Sequence, residues 1–251
     1  MLRMALGFTV AALFLSPVAV TASSATGSDG GPVPAQAVAS RNPLPPCGYA
    51  DLPTPRASYG DWALALVDTR YDVPATYQPR DLVSTKKAGL NRGFLVRAIA
   101  VPDLAAMTRA AAAAGAPLRV ASAYRSYRTQ ISTFKTWVRK HGYKAALLES
   151  ARPGHSEHQL GLAIDFEGRR GRTPWYYRDW ATDTRAGRWM AAHAWQYGWV
   201  MSYPAGKESK TCYEYEPWHY RYVGRAEAAA VHASGLTLRE WLWLQQPVGL
   251  K

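Results

Sequence analysis

Two short segments of the chain place histidines close to carboxylates. His158 lies seven residues before Asp165, and Glu216 lies three residues before His219. A catalytic zinc ion takes three protein nitrogen or oxygen ligands and a water molecule, and a nearby glutamate that binds no metal then serves as the base. His158, Asp165 and His219 can supply the three ligands, which leaves Glu216 as the base. These residue types therefore favour zinc-dependent hydrolysis.

The spacing of these residues also fits an interpretation without a metal. His158 and His219 would then be hydrogen-bonded polar residues at a sheet edge, and Asp165 would be a solvated carboxylate on a strand. A histidine and an aspartate at this separation are by themselves a weak signal, so both interpretations stay open. His155 is a further candidate ligand by residue type, since it lies three residues before His158.

The neighbouring elements must bring the candidate residues together. Residues 162–166 alternate like a strand, with the apolar side chains on one face and Asp165 on the other. In a regular strand Glu216 and His219 would face opposite sides, because their separation is odd. Pro217 disfavours a regular ladder at this point and permits a kink that turns both side chains into one cavity.

Hydrophobic periodicity and capping residues predict a mixture of helices and strands. Because the strands cluster late in the chain, we expect an α+β fold, a single compact domain with a central antiparallel sheet flanked by helices. The predicted helices cover residues 102–115, 130–141, 184–197, 227–233 and 238–244, and the predicted strands cover residues 118–124, 162–166, 199–203 and 213–223.

The first 60 residues have two different compositions. Residues 1–25 combine one charge, an apolar run and a small-residue end, which is the pattern of a secretory signal peptide. A membrane anchor is disfavoured, since Pro17 interrupts the run before the about 20 apolar residues that a span requires. Residues 26–60 are rich in Gly, Ser, Ala and Pro and predict a flexible linker. The catalytic domain is expected over residues 61–251 of an exported protein, which is secreted, wall-associated or periplasmic.

The chain is strongly basic, with a net charge of +12. Such an excess usually indicates an anionic partner. Export makes nucleic acid a poor candidate and an anionic polymer of the cell envelope a better one.

Cys47 and Cys212 are the two cysteines of the chain. In an oxidising compartment an isolated pair most simply forms one disulfide. Two separate buried thiols are the alternative, because pairing needs the two Cα atoms within about 7 Å of each other.

Three segments carry a resemblance to a known family. Residues 122–130, 153–165 and 216–224, in this order, closely resemble the VanY-type D-alanyl-D-alanine carboxypeptidases, zinc peptidases related to the D-Ala-D-Ala dipeptidases. The resemblance extends from about residue 68 to about residue 246. It implies the fold of these zinc peptidases, with the zinc site in a cleft.

The resemblance implies a role for each matching residue. His158, Asp165 and His219 would bind one zinc ion per chain. Glu216 would act as the general base and then as the general acid. Arg125 would stabilise the developing oxyanion or hold the substrate. Gln130 and Ser156 match family positions that line the substrate cleft. Trp218 is expected to form a wall of the cleft because it lies between Glu216 and His219 in the sequence.

The implied function is removal of the terminal D-Ala from peptidoglycan stem peptides. A D-Ala-D-Ala dipeptidase or a wall endopeptidase of the same chemistry is the alternative, and a non-catalytic wall-binding module is a further one. The basic surface would hold the protein on anionic wall polymers, with no nucleic-acid partner and no stable membrane anchor. The chain departs from the family where it has Ala123 and Cys212, since the family often has glycine at both positions.

Overall fold

A computed structural model describes residues 43–56, 58–168 and 176–247. The predicted signal peptide (1–25) and the first part of the predicted linker (26–42) lie outside the described residues. Among the helices of these ranges, none combines the length and the apolarity needed to cross a membrane.

The described residues form short strands and helices, numbered in chain order. The strands are β1 (Leu52–Pro53), β2 (Tyr71–Asp72), β3 (Leu82–Ser84), β4 (Leu95–Arg97), β5 (Leu118–Ser122), β6 (Ala163–Gly168), β7 (Trp199–Met201) and β8 (His219–Tyr222). The α-helices are α1 (Val101–Ala113), α2 (Tyr127–His141), α3 (Tyr143–Glu149), α4 (Trp180–Asp183), α5 (Arg185–His193), α6 (Glu208–Thr211), α7 (Arg225–Ser234) and α8 (Leu238–Leu244).

A four-stranded antiparallel sheet with the order β5-β6-β8-β7 forms the centre of the fold. The register places Asp165 of β6 directly opposite His219 of β8. On the other side of β6, a bulge between Val120 and Ser122 places Ser122 opposite the same Asp165. The prediction of an α+β fold with a central antiparallel sheet is confirmed.

One face of this sheet packs into the main hydrophobic core. Ile164 and Phe166 of β6 are fully buried there, together with Leu104 and Met107 of α1. Each buried side chain of this size contributes about 1.5–3 kcal/mol, so a one-residue slip of β6 would lose several such contributions. The core thus fixes the register that turns Asp165 to the opposite face.

The strand predicted over residues 213–223 is shorter in the structure. Its ladder begins only at His219. Pro217 has no N–H to donate to a ladder, and the amide of Glu216 donates instead to the carbonyl of Tyr203 at 3.0 Å. The prediction of a strand is therefore wrong for residues 213–218, and the irregular segment that replaces it contains Glu216.

Residues 43–56 pack on the body of the domain. The indole N–H of Trp243 donates to the carbonyl of Pro43 at 3.0 Å. β1 pairs in parallel with β2. Cys47 forms a disulfide with Cys212, and their Cα atoms are 5.3 Å apart. The last part of the segment predicted as a linker therefore belongs to the folded domain.

Cys212 has a φ of 68°, the only positive φ at a non-glycine position in the described ranges. It caps the C-terminus of α6, where its N–H donates to the carbonyl of Glu208 at 2.8 Å. Glycine adopts this left-handed conformation without steric strain, whereas other residues do not. This gives a physical reason for the glycine that the family often has here.

Candidate active site

A tight turn connects the first candidate ligand to β6. His158 lies in a 3-10 helix (Glu157–Leu160) that ends at Gly161. Gly161 has a φ of 69°, and a Cβ at this position would come within 3.0 to 3.2 Å of three side-chain atoms. Only glycine fits such a turn without displacing its neighbours. The turn therefore holds His158 close to Asp165.

The imidazole of His158 is buried and oriented. Its Nδ1–H donates to the carbonyl of Ala123 at 2.7 Å, which leaves Nε2 with a free lone pair. Nε2 has no hydrogen-bond partner and lies 3.2 Å from Oδ2 of Asp165. Burial and the nearby Arg125 lower the pKa of His158 to about 4, so the ring is neutral at pH 7.

Asp165 and His219 meet because they are paired across β6 and β8. Directly opposed residues of antiparallel strands project from the same face of the sheet. Nδ1 of His219 lies 2.9 Å from Oδ1 of Asp165, and Nε2 lies 2.9 Å from Oε2 of Glu157. Burial alone would lower the pKa of His219, but these two contacts raise it to about 10. Burial would likewise raise the pKa of Asp165, yet the two histidines hold it well below its usual value.

These three buried side chains can hold a metal ion. One ligand atom from each lies within 4.8 Å of the others. Two nitrogens and one carboxylate oxygen form a donor set of catalytic zinc sites, which keep a further position open. The unpartnered Nε2 of His158 faces a carboxylate oxygen of Asp165, and a cation would satisfy both lone pairs. The residues therefore fit a zinc ion, and the burial of Asp165 (2% exposed) contradicts its interpretation as a solvated acid.

His155 lies apart from this cluster. Its ring nitrogens lie 2.7 Å from a backbone carbonyl and 2.9 Å from Oδ1 of Asp51. Asp72 completes a second His/Asp group, but Asp51 is largely exposed and already pairs with Arg152 at 2.7 Å. The structure thus does not support His155 in place of His158.

Glu216 lies beside the cluster, in the irregular segment before β8. Its Oε2 is 3.7 Å from Nδ1 of His219, and its side chain is 17% exposed. Burial raises the pKa of Glu216 to about 7, against the opposing effect of His219. A carboxyl group with such a pKa can both accept and donate a proton near neutral pH.

Arg125 approaches Asp165 from the end of β5. Its backbone N–H donates to the carbonyl of His158 at 3.2 Å. Nη1 donates to Oγ of Ser122 at 3.2 Å and lies 3.9 Å from Oδ2 of Asp165. Burial lowers the pKa of Arg125 and Asp165 opposes this effect; an arginine stays charged at pH 7.

A cleft of about 460 Å³ contains the cluster, Glu216 and Arg125, and Ser156 and Trp218 are among its lining residues. Gln130 is not among them. It is fully buried and donates from its side-chain amide to the carbonyl of Ala151 at 2.7 Å. Gln130 and Phe134 lie one turn apart on the buried face of α2, which explains why Gln130 does not reach the cleft.

Several polar residues around His219 were not predicted from the sequence. The ring of Tyr203 lies 4.9 Å from the His219 ring and lines the cleft. Burial raises the pKa of Tyr203 well above 10, so its hydroxyl stays protonated. Glu157, Ser202 and Arg221 form a buried hydrogen-bonded group behind the ring. Only Arg221 had a usable signal, because it lies two residues after His219 on the same face of β8.

A buried His-Asp-His set beside a glutamate and an arginine in one cleft has the residue types of the active site of a metal-dependent hydrolase. The model of the D-alanyl-D-alanine carboxypeptidase family VanY matches residues 93–225. The chain belongs to this family, as the three sequence motifs predicted, and is a hydrolase of the carboxypeptidase type.

The chain is also similar to individual known proteins and solved structures. YodJ of Bacillus subtilis is 37% identical over 183 residues, which cover 71% of this chain and 66% of YodJ. The structure of the LD-carboxypeptidase LdcB is 37% identical with a TM-score of 0.64, over 71% of this chain and 85% of that chain. A vancomycin resistance D,D-pentapeptidase VanY, solved as a mutant in complex with Zn(II), is 31% identical with a TM-score of 0.62, over 72% of this chain and 99% of that chain.

Proposed function

We propose that this protein is an exported zinc D,D-carboxypeptidase that removes the terminal D-Ala from peptidoglycan stem peptides. The single observation that carries the proposal is the cleft in which a buried His-Asp-His set, Glu216 and Arg125 converge. Family membership adds the substrate class, since the family model is that of a D-alanyl-D-alanine carboxypeptidase.

His158, Asp165 and His219 would hold one zinc ion per chain. The donor set and the unpartnered Nε2 of His158 support zinc, as does the Zn(II) complex of the related VanY. Bound zinc supplies a Lewis acid that polarises a carbonyl and lowers the pKa of water. The two histidines and Asp165 would fix the position of the ion and, because they are buried, keep bulk solvent away from it.

Glu216 would move the proton during hydrolysis. Its carboxylate accepts a proton from the attacking water and then passes it to the nitrogen of the departing D-Ala. The raised pKa of about 7 suits both steps, since the group must accept and then release a proton.

Arg125 would stabilise the charge that develops on the scissile carbonyl oxygen. The Arg125 side chain is 20% exposed, and its guanidinium is held near Asp165 by the contact with Ser122. Fixed positive charge in such a sheltered cleft favours the transition state more than the same charge in water would. Ser156 and Trp218 would contact the peptide from the cleft wall.

Export and wall retention complete the proposal. The pattern of residues 1–25 supports secretion by a signal peptide. Removal of residues 1–25, whose one charged side chain is Arg3, changes the net charge from +12 to +11, and this charge would hold the protein on the anionic polymers around its substrate.

An L,D-carboxypeptidase, which removes D-Ala from the tetrapeptide stem, is a second candidate. The specific observation in its favour is the 37% identity to LdcB, against 31% to the D,D-pentapeptidase VanY. The two activities differ in the residue that precedes the scissile bond, which is D-Ala for one and an L-residue for the other.

Purified muropeptides distinguish these activities. The pentapeptide and the tetrapeptide are incubated separately with the zinc-loaded protein, and the products are analysed by mass spectrometry. We expect loss of one D-Ala from the pentapeptide. Loss only from the tetrapeptide would assign the L,D activity. In parallel incubations, hydrolysis of free D-Ala-D-Ala without loss from either stem would assign a dipeptidase, and cleavage of a cross-linked dimer would assign an endopeptidase.

Glu216→Gln tests the assigned base in the same assay. We expect D-Ala release to fall by about 10²–10⁴-fold with unchanged fold and zinc content, because general base catalysis contributes this factor. Glu208→Gln is the matched control, since Glu208 is exposed and outside the cleft lining. Wild-type activity of Glu216→Gln would exclude Glu216 as the base.

A further inference from the structure

Glu157 is a buried carboxylate that the proposed mechanism does not use. Its side chain is 5% exposed. Oε2 accepts from Nε2–H of His219 at 2.9 Å and from the Oγ–H of Ser202 at 2.6 Å. Oε1 accepts from Nη1 of Arg221 at 3.3 Å. The carboxylate thus accepts three hydrogen bonds, two from residues of β8 and one from Ser202, which directly follows β7.

The position of Glu157 is fixed from behind by Arg221. This arginine is fully buried, and its Nη2 donates to the carbonyls of Trp62 at 2.9 Å and Ala65 at 3.3 Å. His219 and Arg221 lie two residues apart on one face of β8. The same strand therefore carries the His219 ring and the arginine that holds Glu157 beside it. The carboxylate cannot rotate away from Nε2 without losing its contact with Arg221.

A histidine can bind a metal through Nδ1 only if the ring proton is on Nε2. The ring nitrogen of His219 that faces Asp165 and the cluster is Nδ1, at 2.9 Å from Oδ1 of Asp165. An acceptor at Nε2 holds the proton there and leaves the Nδ1 lone pair directed at the cluster. Glu157 is the acceptor at that nitrogen.

We propose that Glu157 is a positioning residue that fixes the tautomer and orientation of His219 for metal binding. The inference rests on the proposed metal site and deepens it, because Glu157 acts on the metal only through His219. Ser202 and Arg221 hold the carboxylate in place. Such partners of metal-bound histidines typically change metal affinity by about 10–100-fold when they are replaced.

Glu157→Gln is the most informative variant because it replaces one carboxylate oxygen, a hydrogen-bond acceptor, with an NH2 group, which is a donor. If the amide oxygen faces His219, the amide nitrogen faces Nη1 of Arg221, and two donors oppose each other. If the amide is reversed, its nitrogen donates to Nε2 of His219 and moves the ring proton to Nδ1. The first orientation keeps the metal-binding tautomer only with the two donors in conflict at Arg221, and the second removes that tautomer.

Asp68→Asn is the matched control. Asp68 is also buried, accepts from Nε of Arg239 at 2.6 Å with one oxygen, and accepts from two backbone N–H groups with the other. The substitution creates the same kind of donor mismatch, but Asp68 is not among the residues that line the cleft.

Zinc affinity of the full protein, measured by competition with a chromophoric chelator, tests the inference. We expect Glu157→Gln to bind zinc about 10–100-fold more weakly than the wild type, and Asp68→Asn to bind it within about threefold of the wild type. Equal affinity of Glu157→Gln and wild type would overturn the role of Glu157. A wild type that binds no zinc would instead overturn the proposed metal site.

Long-range ¹H–¹⁵N NMR of zinc-loaded wild type gives a second readout that does not depend on the folding of a variant. We expect the His219 ring proton on Nε2, protected from exchange by Glu157. A ring proton on Nδ1, or an Nε2 proton that exchanges as fast as that of an exposed histidine such as His232, would contradict the proposal.

Discussion

The disulfide between Cys47 and Cys212 closes almost the whole described domain into one loop. The two residues are 165 positions apart in sequence. In the chain-entropy model, a closed loop of this length removes about 17 cal/mol/K from the unfolded chain, which is about 5 kcal/mol at 25 °C. Loss of native disulfides typically destabilises by about 2–5 kcal/mol. We therefore expect the double variant Cys47→Ser/Cys212→Ser to be less stable by an amount in this range.

Thermal unfolding measures this effect. For a domain of this size, about 2–5 kcal/mol corresponds to a melting temperature lower by about 4–20 °C. Wild type in a reducing agent should melt at nearly the temperature of the double variant, and the reducing agent should not affect the variant itself. Peptidase activity below the transition should be unchanged, because neither cysteine lines the cleft. A melting temperature within about 2 °C of the wild type would refute the expected stabilisation.

Three further substitutions or conditions have defined outcomes. In the Cys47→Ser background, the Cys212→Gly variant should be more stable to urea unfolding than the Cys212→Ser variant by about 0.5–1 kcal/mol, because residue 212 has a φ of 68°. A less stable Cys212→Gly variant would contradict backbone strain at this position. Arg125→Ala should lower kcat for D-Ala release by about 10²–10³-fold at unchanged zinc content, whereas Arg128→Ala, at an exposed position three residues later, should leave kcat unchanged. A kcat of Arg125→Ala equal to that of the wild type would remove Arg125 from the mechanism. Raising NaCl from about 0.1 M to about 1 M should release the protein from isolated cell walls, since the screening length falls from about 10 Å to about 3 Å; retention that is indifferent to salt would leave the basic charge without a role.

The sequence predicted the central sheet because its signal is local. The alternation of residues 162–166 is enough to place Ile164 in the core and Asp165 on the other face. The donor types of His158, Asp165 and His219 predicted the chemistry, and the family resemblance selected this set over alternatives that spacing alone left open. The structure brings all three together with Glu216 and Arg125.

The residues that the sequence did not place correctly depend on nonlocal contacts. Glu157 lies 45 residues from Ser202 and 64 from Arg221, so its partners become visible only when the sheet has formed. Gln130 matched a family position, but the buried face of α2 sets its direction. The strand predicted over residues 213–223 begins only at His219, because Pro217 has no N–H to donate to a ladder.

The attachment of residues 43–56 to the domain was not visible in their composition either. Its proline-rich sequence indicates an unstructured spacer, yet the disulfide and the contact between Trp243 and Pro43 attach residues 43–56 to the domain. A segment without its own apolar periodicity can be ordered in this way by a covalent bond and a few hydrogen bonds to a preformed surface.

Metal removal and restoration show whether D-Ala release depends on an ion at His158, Asp165 and His219. The wild-type protein is stripped with a chelator, dialysed, and assayed for D-Ala release from the pentapeptide muropeptide before and after titration with Zn²⁺. We expect release to disappear with the metal and to return in proportion to added zinc, with a plateau at one ion per chain, and we expect no return in His158→Ala. Full D-Ala release by the metal-free protein would contradict a zinc site at His158, Asp165 and His219.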